Sequence, residues 1–171
     1  MKKLLCLLFL LPLVVNAAPP DDFTVKSATD KSSFTLKDAR GKFVAIHFLL
    51  KTECPYCLRH TQDYISKAGT LPNVVQVFLK PDTDNEIEGW ASKIPAEMLA
   101  KTPIYRDANA KLAEAFDIPD GYKFHGQEVH FPALVLIGPD GKEVFRYVGK
   151  SNGDRLPFET LAEKVAELSK K

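Results

Sequence analysis

The chain is poor in cysteine. Its 171 residues hold three, and one of them, Cys6, lies inside an apolar N-terminal run. A disulfide-knit scaffold needs more than the remaining pair, so the fold must rest on a hydrophobic core. An excess of one charge is also missing, since 23 Lys and Arg stand against 22 Asp and Glu. There is no basic stripe of the kind that grips phosphates, and the sequence gives no reason to expect a nucleic-acid partner. No apolar stretch reaches the ~20 residues that span a bilayer. Internal repeats and low-complexity tracts are absent, which excludes solenoids and fibrous architectures.

The N-terminus has a pattern of its own. Lys2 and Lys3 precede an apolar run from Leu4 to Val15, and Val15-Asn16-Ala17 has the small-residue spacing of a cleavage site. Residues 1–17 therefore read as a secretory signal peptide. Cys6 stands at the start of the apolar run and not at its end, which argues against a lipid anchor. Cleavage leaves about 150 residues, the size of one ordinary domain. The expectation is a single domain over 18–171, periplasmic or secreted, monomeric, and without a stable membrane span. Cys54 and Cys57 would then be the cysteines of the mature chain, in a compartment where disulfides form.

Beyond the leader, strand and helix patterns alternate. KFVAIHFLL (42–50) is nearly continuous apolar sequence and predicts a buried central strand. Leu58, Thr61, Ile65 and Ala68 recur at helical spacing up to Gly69. VVQVFL (74–79) predicts a second buried strand, and Ile87, Trp90, Ala91 and Ile94 a helix ending before Pro95. Asp107 is placed to cap a helix with Leu112, Ala115 and Phe116 inward. Residues 117–131 have turn signals and predict a long loop. Ala133–Ile137, the turn GPDG (138–141) and Val144–Val148 predict an antiparallel pair, and Pro157 opens a last helix with Phe158, Leu161, Val165 and Leu168 on one face. The fold class is α/β, a central mixed β-sheet flanked by helices.

The chemistry concentrates in TECPYC (52–57), between the first strong strand and its helix. A disulfide closing so short a loop stabilises by only roughly 2 kcal/mol, which argues against a purely structural staple. A zinc site would need further ligands at short spacing; 67 residues separate Cys57 from His125, with His130 beyond it, far more than in a zinc finger. Redox exchange fits best. A thiol at a helix N-terminus is favoured as thiolate by the dipole and by free N–H groups. Cys54, first in the motif, is the expected nucleophile and the more exposed and acidic thiol. Cys57, about one turn on, is the expected resolving residue. Pro55 has no N–H to lose at the first turn of a helix.

CPYC after a buried strand, with a later apolar strand opening at Pro132, resembles the thioredoxin superfamily. The order FTLKDARGKFVAIHFLLKTECPYC, PIYRDANAKLAEAF, HFPALVLIGPDGKEVFRYVG is similar to the periplasmic TlpA/ResA-type thiol–disulfide proteins and the AhpC/TSA redoxin-like group. The resemblance spans roughly residues 23–168. It implies a thioredoxin-like fold and a thiol–disulfide oxidoreductase cycling a Cys54–Cys57 disulfide, with no dissociable cofactor and no metal. It further implies that Pro132 is a cis-proline beside the disulfide, leaving the Phe131 backbone free to pair with a substrate peptide. Pro55 and Tyr56 complete the expected substrate-binding surface. The implied partners are thiol- or disulfide-bearing exported proteins and a redox partner.

There are departures from the pattern. Thioredoxin-type proteins often carry a buried acid in the strand before the motif; here that strand has none, and His47 is a candidate for the relay, against a placement on the other sheet face. His130, Lys51 and Glu53 are candidates for tuning Cys54 by charge. Two alternatives stay open. Thr52-Glu53-Cys54-Pro55 together with His130 is similar to the Sco-type copper chaperones, whose cysteines are spaced CxxxC, and two thiolates with an imidazole suit Cu(I). Peroxiredoxin-like thiol peroxidases place a threonine three residues before the reactive cysteine, whereas Thr52 is two before Cys54.

Overall fold

The computed structural model describes residues 20–51, 54–124 and 126–170. The leader and Thr52, Glu53 and His125 therefore lie outside the described residues. Two short strands, β1 (Thr24–Lys26) and β2 (Ser33–Thr35), pair antiparallel. They precede β3 (Phe43–Phe48), whose six residues are all buried. The long helix α1 (Pro55–Lys67) follows, then β4 (Val74–Lys80). Next come α2 (Asp84–Ala91), the single turn α3 (Ala96–Leu99) and β5 (Ile104–Arg106). Short helix α4 (Lys111–Ala115) leads into strands β6 (Asp120–Phe124) and β7 (Gln127–His130). The chain closes with β8 (Ala133–Ile137), β9 (Glu143–Val148) and α5 (Phe158–Leu168).

The main sheet has the order β5-β4-β3-β8-β9. β3 runs parallel to β4 and antiparallel to β8, so the sheet is mixed, as its sequence pattern predicts. Being central, β3 buries both faces, which is why it reads as one apolar run and not as an alternation. Phe43 and Ala45 of β3, with Leu49 just beyond it, pack with α1, α2 and α5 around Tyr64, Phe78 and Leu161. Val44, Ile46 and Phe48 pack on the opposite face with Val25, Phe116 and Ile118. Trp90 is core, as expected. α5 is amphipathic and buries Phe158, Leu161 and Val165.

Two local expectations fail. Residues 117–131 are not a loop throughout: β6 and β7 form an antiparallel hairpin, reversed at Gly126, whose φ of 75° suits glycine. Asp107 does cap α4, accepting the N–H groups of Leu112 and Ala113 at 2.8 and 3.0 Å. However, the helix begins later than the sequence pattern predicts, so Ala113 turns inward and Ala115 outward.

Register decides what surrounds the cysteine motif. At the end of β3, Phe48 stands opposite Leu79 on one side and Ala133 on the other. The chain leaving β3 is therefore flanked by Lys80 at the end of β4 and Pro132 at the start of β8. A second device works from β9. A side chain at Gly149 would come within 2.2 Å of the Asp154 carbonyl and 3.0 Å of Pro132 Cγ. The absence of Cβ lets segment 150–157 fold back over Pro132 towards the motif. Asp154 fixes that return by accepting hydrogen bonds from the Tyr147 hydroxyl and the Lys150 N–H.

Candidate functional site

Cys54 is the N-cap of α1, its backbone N–H donating to the Lys51 carbonyl at 3.0 Å. Pro55 follows at the first helical position, where no N–H is needed. The Cys54 sulfur accepts the Cys57 backbone N–H at 3.2 Å. The two sulfurs lie 2.7 Å apart, both as free thiols. Sequence spacing thus placed the pair at the helix N-terminus, but exposure differs from expectation. Cys54 is 1% exposed and Cys57 0%, because segment 150–157 covers them. Asn152 Oδ1 contacts the Cys54 sulfur at 2.8 Å. Arg155 Nη2 donates to Cys57 at 3.2 Å and to Cys54 at 3.6 Å. Tyr56 forms the visible rim, 42% exposed, facing Gly153.

The charge in this pair is also distributed differently from expectation. Cys54 is pushed up, first by its hydrogen bond with Cys57, then by burial and by the partner's charge. For Cys57, burial opposes ionisation, but the Cys54 thiol, the Lys80 and Arg155 charges and the Arg155 hydrogen bond outweigh it and bring it down to about 6. The guanidinium, nearer to Cys57 than to Cys54, favours the singly ionised form of the pair. The Arg155 charge favours the thiolate at both sulfurs, and at Cys57 the Lys80 charge adds to it.

Lys80 is fully buried. Its ammonium donates to the Leu50 carbonyl at 2.5 Å, lies 3.7 Å from Asp82 and sits 4.5 Å above the Trp90 ring. The same Leu50 carbonyl receives the Cys57 thiol at 3.9 Å. A lysine ending an apolar strand was visible in VVQVFLK, but nothing in the sequence pointed it at the cysteines. Arg155 and Asn152 were missed altogether, because SNGDRLP reads as an ordinary loop.

His47 faces α1 and the cysteine side of the sheet, not the other face, yet its ring contacts neither sulfur. Gln76 Oε1 accepts from His47 Nε2 at 2.8 Å, and Nδ1 pairs with His60 Nε2 at 3.0 Å. The ring stacks on Phe78 at 4.3 Å. Burial lowers His47 to about 4, with the Gln76 bond opposing and the Arg155 charge adding. His60 is lowered in the same direction, again chiefly by burial. Unfolded imidazole takes its proton near 6.5, so between that value and about 4 the unfolded chain binds more protons than the native one. The stability from burying neutral His47 is complete above about pH 6.5 and is lost as pH falls towards 4, about 3 kcal/mol across the window. Urea midpoints should therefore drop between neutral pH and about pH 4.5 in the native chain and drop less in His47→Phe. Equal slopes in the two proteins would remove His47 as the cause.

His130 is buried, its Nδ1 bonded to the Phe131 carbonyl at 2.7 Å. Burial lowers it, with that bond opposing. It shares with Lys51 a groove of about 480 Å³ that also takes in Asp82, Glu86, Arg106 and Glu128. Among the described residues no group of three or more His, Cys, Asp or Glu is arranged to hold a metal ion. Cys54, Cys57 and His130 are therefore not brought together as one copper ligand set. Pro132 is buried but not cis: no cis peptide occurs among the described residues. Nor is the Phe131 backbone free. Its N–H donates to the Pro119 carbonyl at 2.8 Å and its carbonyl is taken by His130. The β6–β7 hairpin has folded onto the edge that an incoming peptide was expected to use, and the trans bond satisfies these contacts. Among the described residues no helix is long and apolar enough to cross a membrane.

A close cysteine pair where a central strand enters a helix, within a mixed five-stranded sheet covered by helices, defines a thioredoxin-like fold. Solved structures bear this out. The exposed lipoprotein thioredoxin Etrx1 of Streptococcus pneumoniae matches with a TM-score of 0.67 at 18% identity, over 85% of this chain and 98% of that one. A secreted Mycobacterium tuberculosis disulfide oxidoreductase homologous to E. coli DsbE matches with a TM-score of 0.62 at 18% identity, over 85% and 95%. A yeast mitochondrial 1-Cys peroxiredoxin matches with a TM-score of 0.73 at 14% identity, over 92% and 77%. Comparison with curated proteins finds no match. The model of the AhpC/TSA family matches residues 14–145, and the chain belongs to that family.

Proposed function

We propose that this protein is an exported thiol–disulfide oxidoreductase that exchanges its Cys54–Cys57 dithiol with protein partners. The observation that carries the reading is the sulfur pair itself: two thiols in contact at a helix N-terminus beside a guanidinium. Cys54 lies on the outer side, next to exposed Pro55 and Tyr56, and is the sulfur a partner meets first. As it attacks a partner disulfide, its proton passes by way of the Cys57 sulfur to the partner sulfur that is displaced, and Cys57 is left as a thiolate. Cys57 then attacks Cys54, the internal disulfide forms, and the partner leaves as a thiol. The chemistry uses no dissociable cofactor.

Tyr56 and Pro55 offer the partner an exposed surface, and the groove holding Lys51 and His130 offers a polar one. The leader pattern of residues 1–17 supports export, and partners are then exported thiol proteins and a redox protein that resets the pair. Family membership favours a second reading, a thiol peroxidase in which peroxide oxidises Cys54 and Cys57 condenses with the product, releasing water.

One experiment separates the two readings. The reduced protein is mixed in turn with a disulfide-bearing protein and with hydrogen peroxide, and its oxidation is followed by mass. Exchange with the disulfide substrate outrunning oxidation by peroxide supports the oxidoreductase. The reverse order replaces it with the peroxidase.

A further inference from the structure

Arg155 brings a cation to the sulfur pair. Among the described residues no acidic side chain lies within ion-pairing distance of its guanidinium. Its Nε is buried without a hydrogen-bond partner. Nη1 reaches the Asp154 carbonyl at 3.4 Å, and Nη2 reaches both sulfurs, with Cys57 the nearer at 3.2 Å. A partly buried charge needs a counter-charge, and the group this one faces is a thiol. The Lys80 charge acts on the same thiol from β4. It is more deeply buried than Arg155 and shares the Leu50 carbonyl with the Cys57 sulfur. The strand before the motif, β3, supplies no acid.

We propose that Arg155, with Lys80 behind it, holds the resolving sulfur of Cys57 as a thiolate, so that a mixed disulfide on Cys54 is resolved without a carboxylate base. This rests on the oxidoreductase reading of the site. Once a partner is bound to Cys54, the Cys54 thiol no longer donates to Cys57, and the two cations remain to favour the charged form. The Cys57 thiolate attacks the Cys54 sulfur. The Cys54–Cys57 bond forms, the bond from Cys54 to the partner breaks, and its electron pair leaves on the partner sulfur, which takes a proton from water. The pair is oxidised by two electrons and the partner reduced by two. Arg155 contacts the reacting sulfurs and is catalytic; Lys80 acts through the Leu50 carbonyl and is a positioning residue.

The groups that face Cys57 define the electrostatics. Cys54 lies at the N-cap, Lys80 comes from β4 with Asp82 partly offsetting it, Arg155 comes from the segment before α5, and His60 lies one turn along α1. With His60 held neutral by burial, the balance of the described groups around Cys57 is cationic. Arg155 lies beyond residues 14–145, the part of the chain that the family model matches.

The test has two readouts. In a Cys6→Ser, Cys54→Ser protein, Cys57 is the lone thiol, and its ionisation is followed by ultraviolet thiolate absorbance against pH. Cys57 should titrate below the ordinary thiol range. Arg155→Gln and Lys80→Met should each raise it by about one unit or more, and Arg155→Lys should recover most of the loss. In the protein with both cysteines, release of a preformed Cys54 mixed disulfide should be nearly flat with pH around neutrality. In Arg155→Gln it should become about tenfold slower and rise with pH. Arg155 lies on a half-buried segment, so that variant is informative even where Lys80→Met does not fold. Cys57 titrating as an ordinary thiol, or unmoved by Arg155→Gln, overturns the proposal. The titration is independent of turnover, so a protein that passes it yet exchanges no disulfides would sink the oxidoreductase reading alone.

Discussion

Cys57→Ser should arrest the protein as a covalent adduct with its partner, while Cys54→Ser should form none. The difference follows from position. Cys54 caps α1 on the side of exposed Pro55 and Tyr56, whereas Cys57 is enclosed between the helix, the Leu50 carbonyl and Arg155. Resolution by a sulfur held in place is intramolecular, and well-oriented intramolecular reactions have effective concentrations of roughly 10⁵ M and above. An external thiol at millimolar concentration cannot match that, so release from Cys57→Ser should slow by at least about a thousandfold. Non-reducing electrophoresis with a disulfide-bearing substrate shows the adduct, and peptide mass mapping places it on Cys54. Full turnover in Cys57→Ser, or an adduct mapped to residue 57 in Cys54→Ser, would rule out the two-cysteine cycle in this order.

Phe78→Ala should be the most damaging core substitution near the site. Phe78 is fully buried on β4 and stacks on His47 at 4.3 Å. It packs in the same cluster as Cys57, Tyr64 and Trp90. Replacing a buried phenylalanine by alanine costs about 3–5 kcal/mol through lost transfer energy and the cavity left behind. Total stabilities are about 5–15 kcal/mol, so the variant should be marginal. Its effect should extend to function. Without the ring, the His47–His60–Gln76 group loses the surface that aligns it, and α1, which carries His60 and both cysteines, loses support. Urea unfolding measures the loss. A change below about 1 kcal/mol would mean that the cluster collapses around the gap and that Phe78 does not brace α1.

Much of the fold was legible because its signals are local. KFVAIHFLL is an unbroken apolar run since β3 is buried on both faces, and no other element type suits so short a run with β-branched residues. GPDG specifies its turn through residues that set φ, and Gly141 does adopt a φ of 80°. The hairpin of β6 and β7 was less legible. Its turn signals were read as loop, and strand pairing outside the main sheet leaves a weak hydrophobic pattern.

The site divides along the same line. By itself the sequence determined that two cysteines stand at a helix N-terminus after a central strand, because capping, proline placement and burial periodicity act over a few residues. Tertiary structure alone decided what surrounds their sulfurs. Arg155 reaches Cys57 across 98 positions of chain, carried there by the return of segment 150–157 over Gly149. Lys80 shares the Leu50 carbonyl with it because β4 ends in register with β3. The trans bond at Pro132 and the engaged Phe131 backbone follow from a hairpin lying against them. Which thiol holds the charge is set by fields acting over several ångströms through a low-dielectric interior, and such fields depend on spatial neighbours that local pattern does not encode.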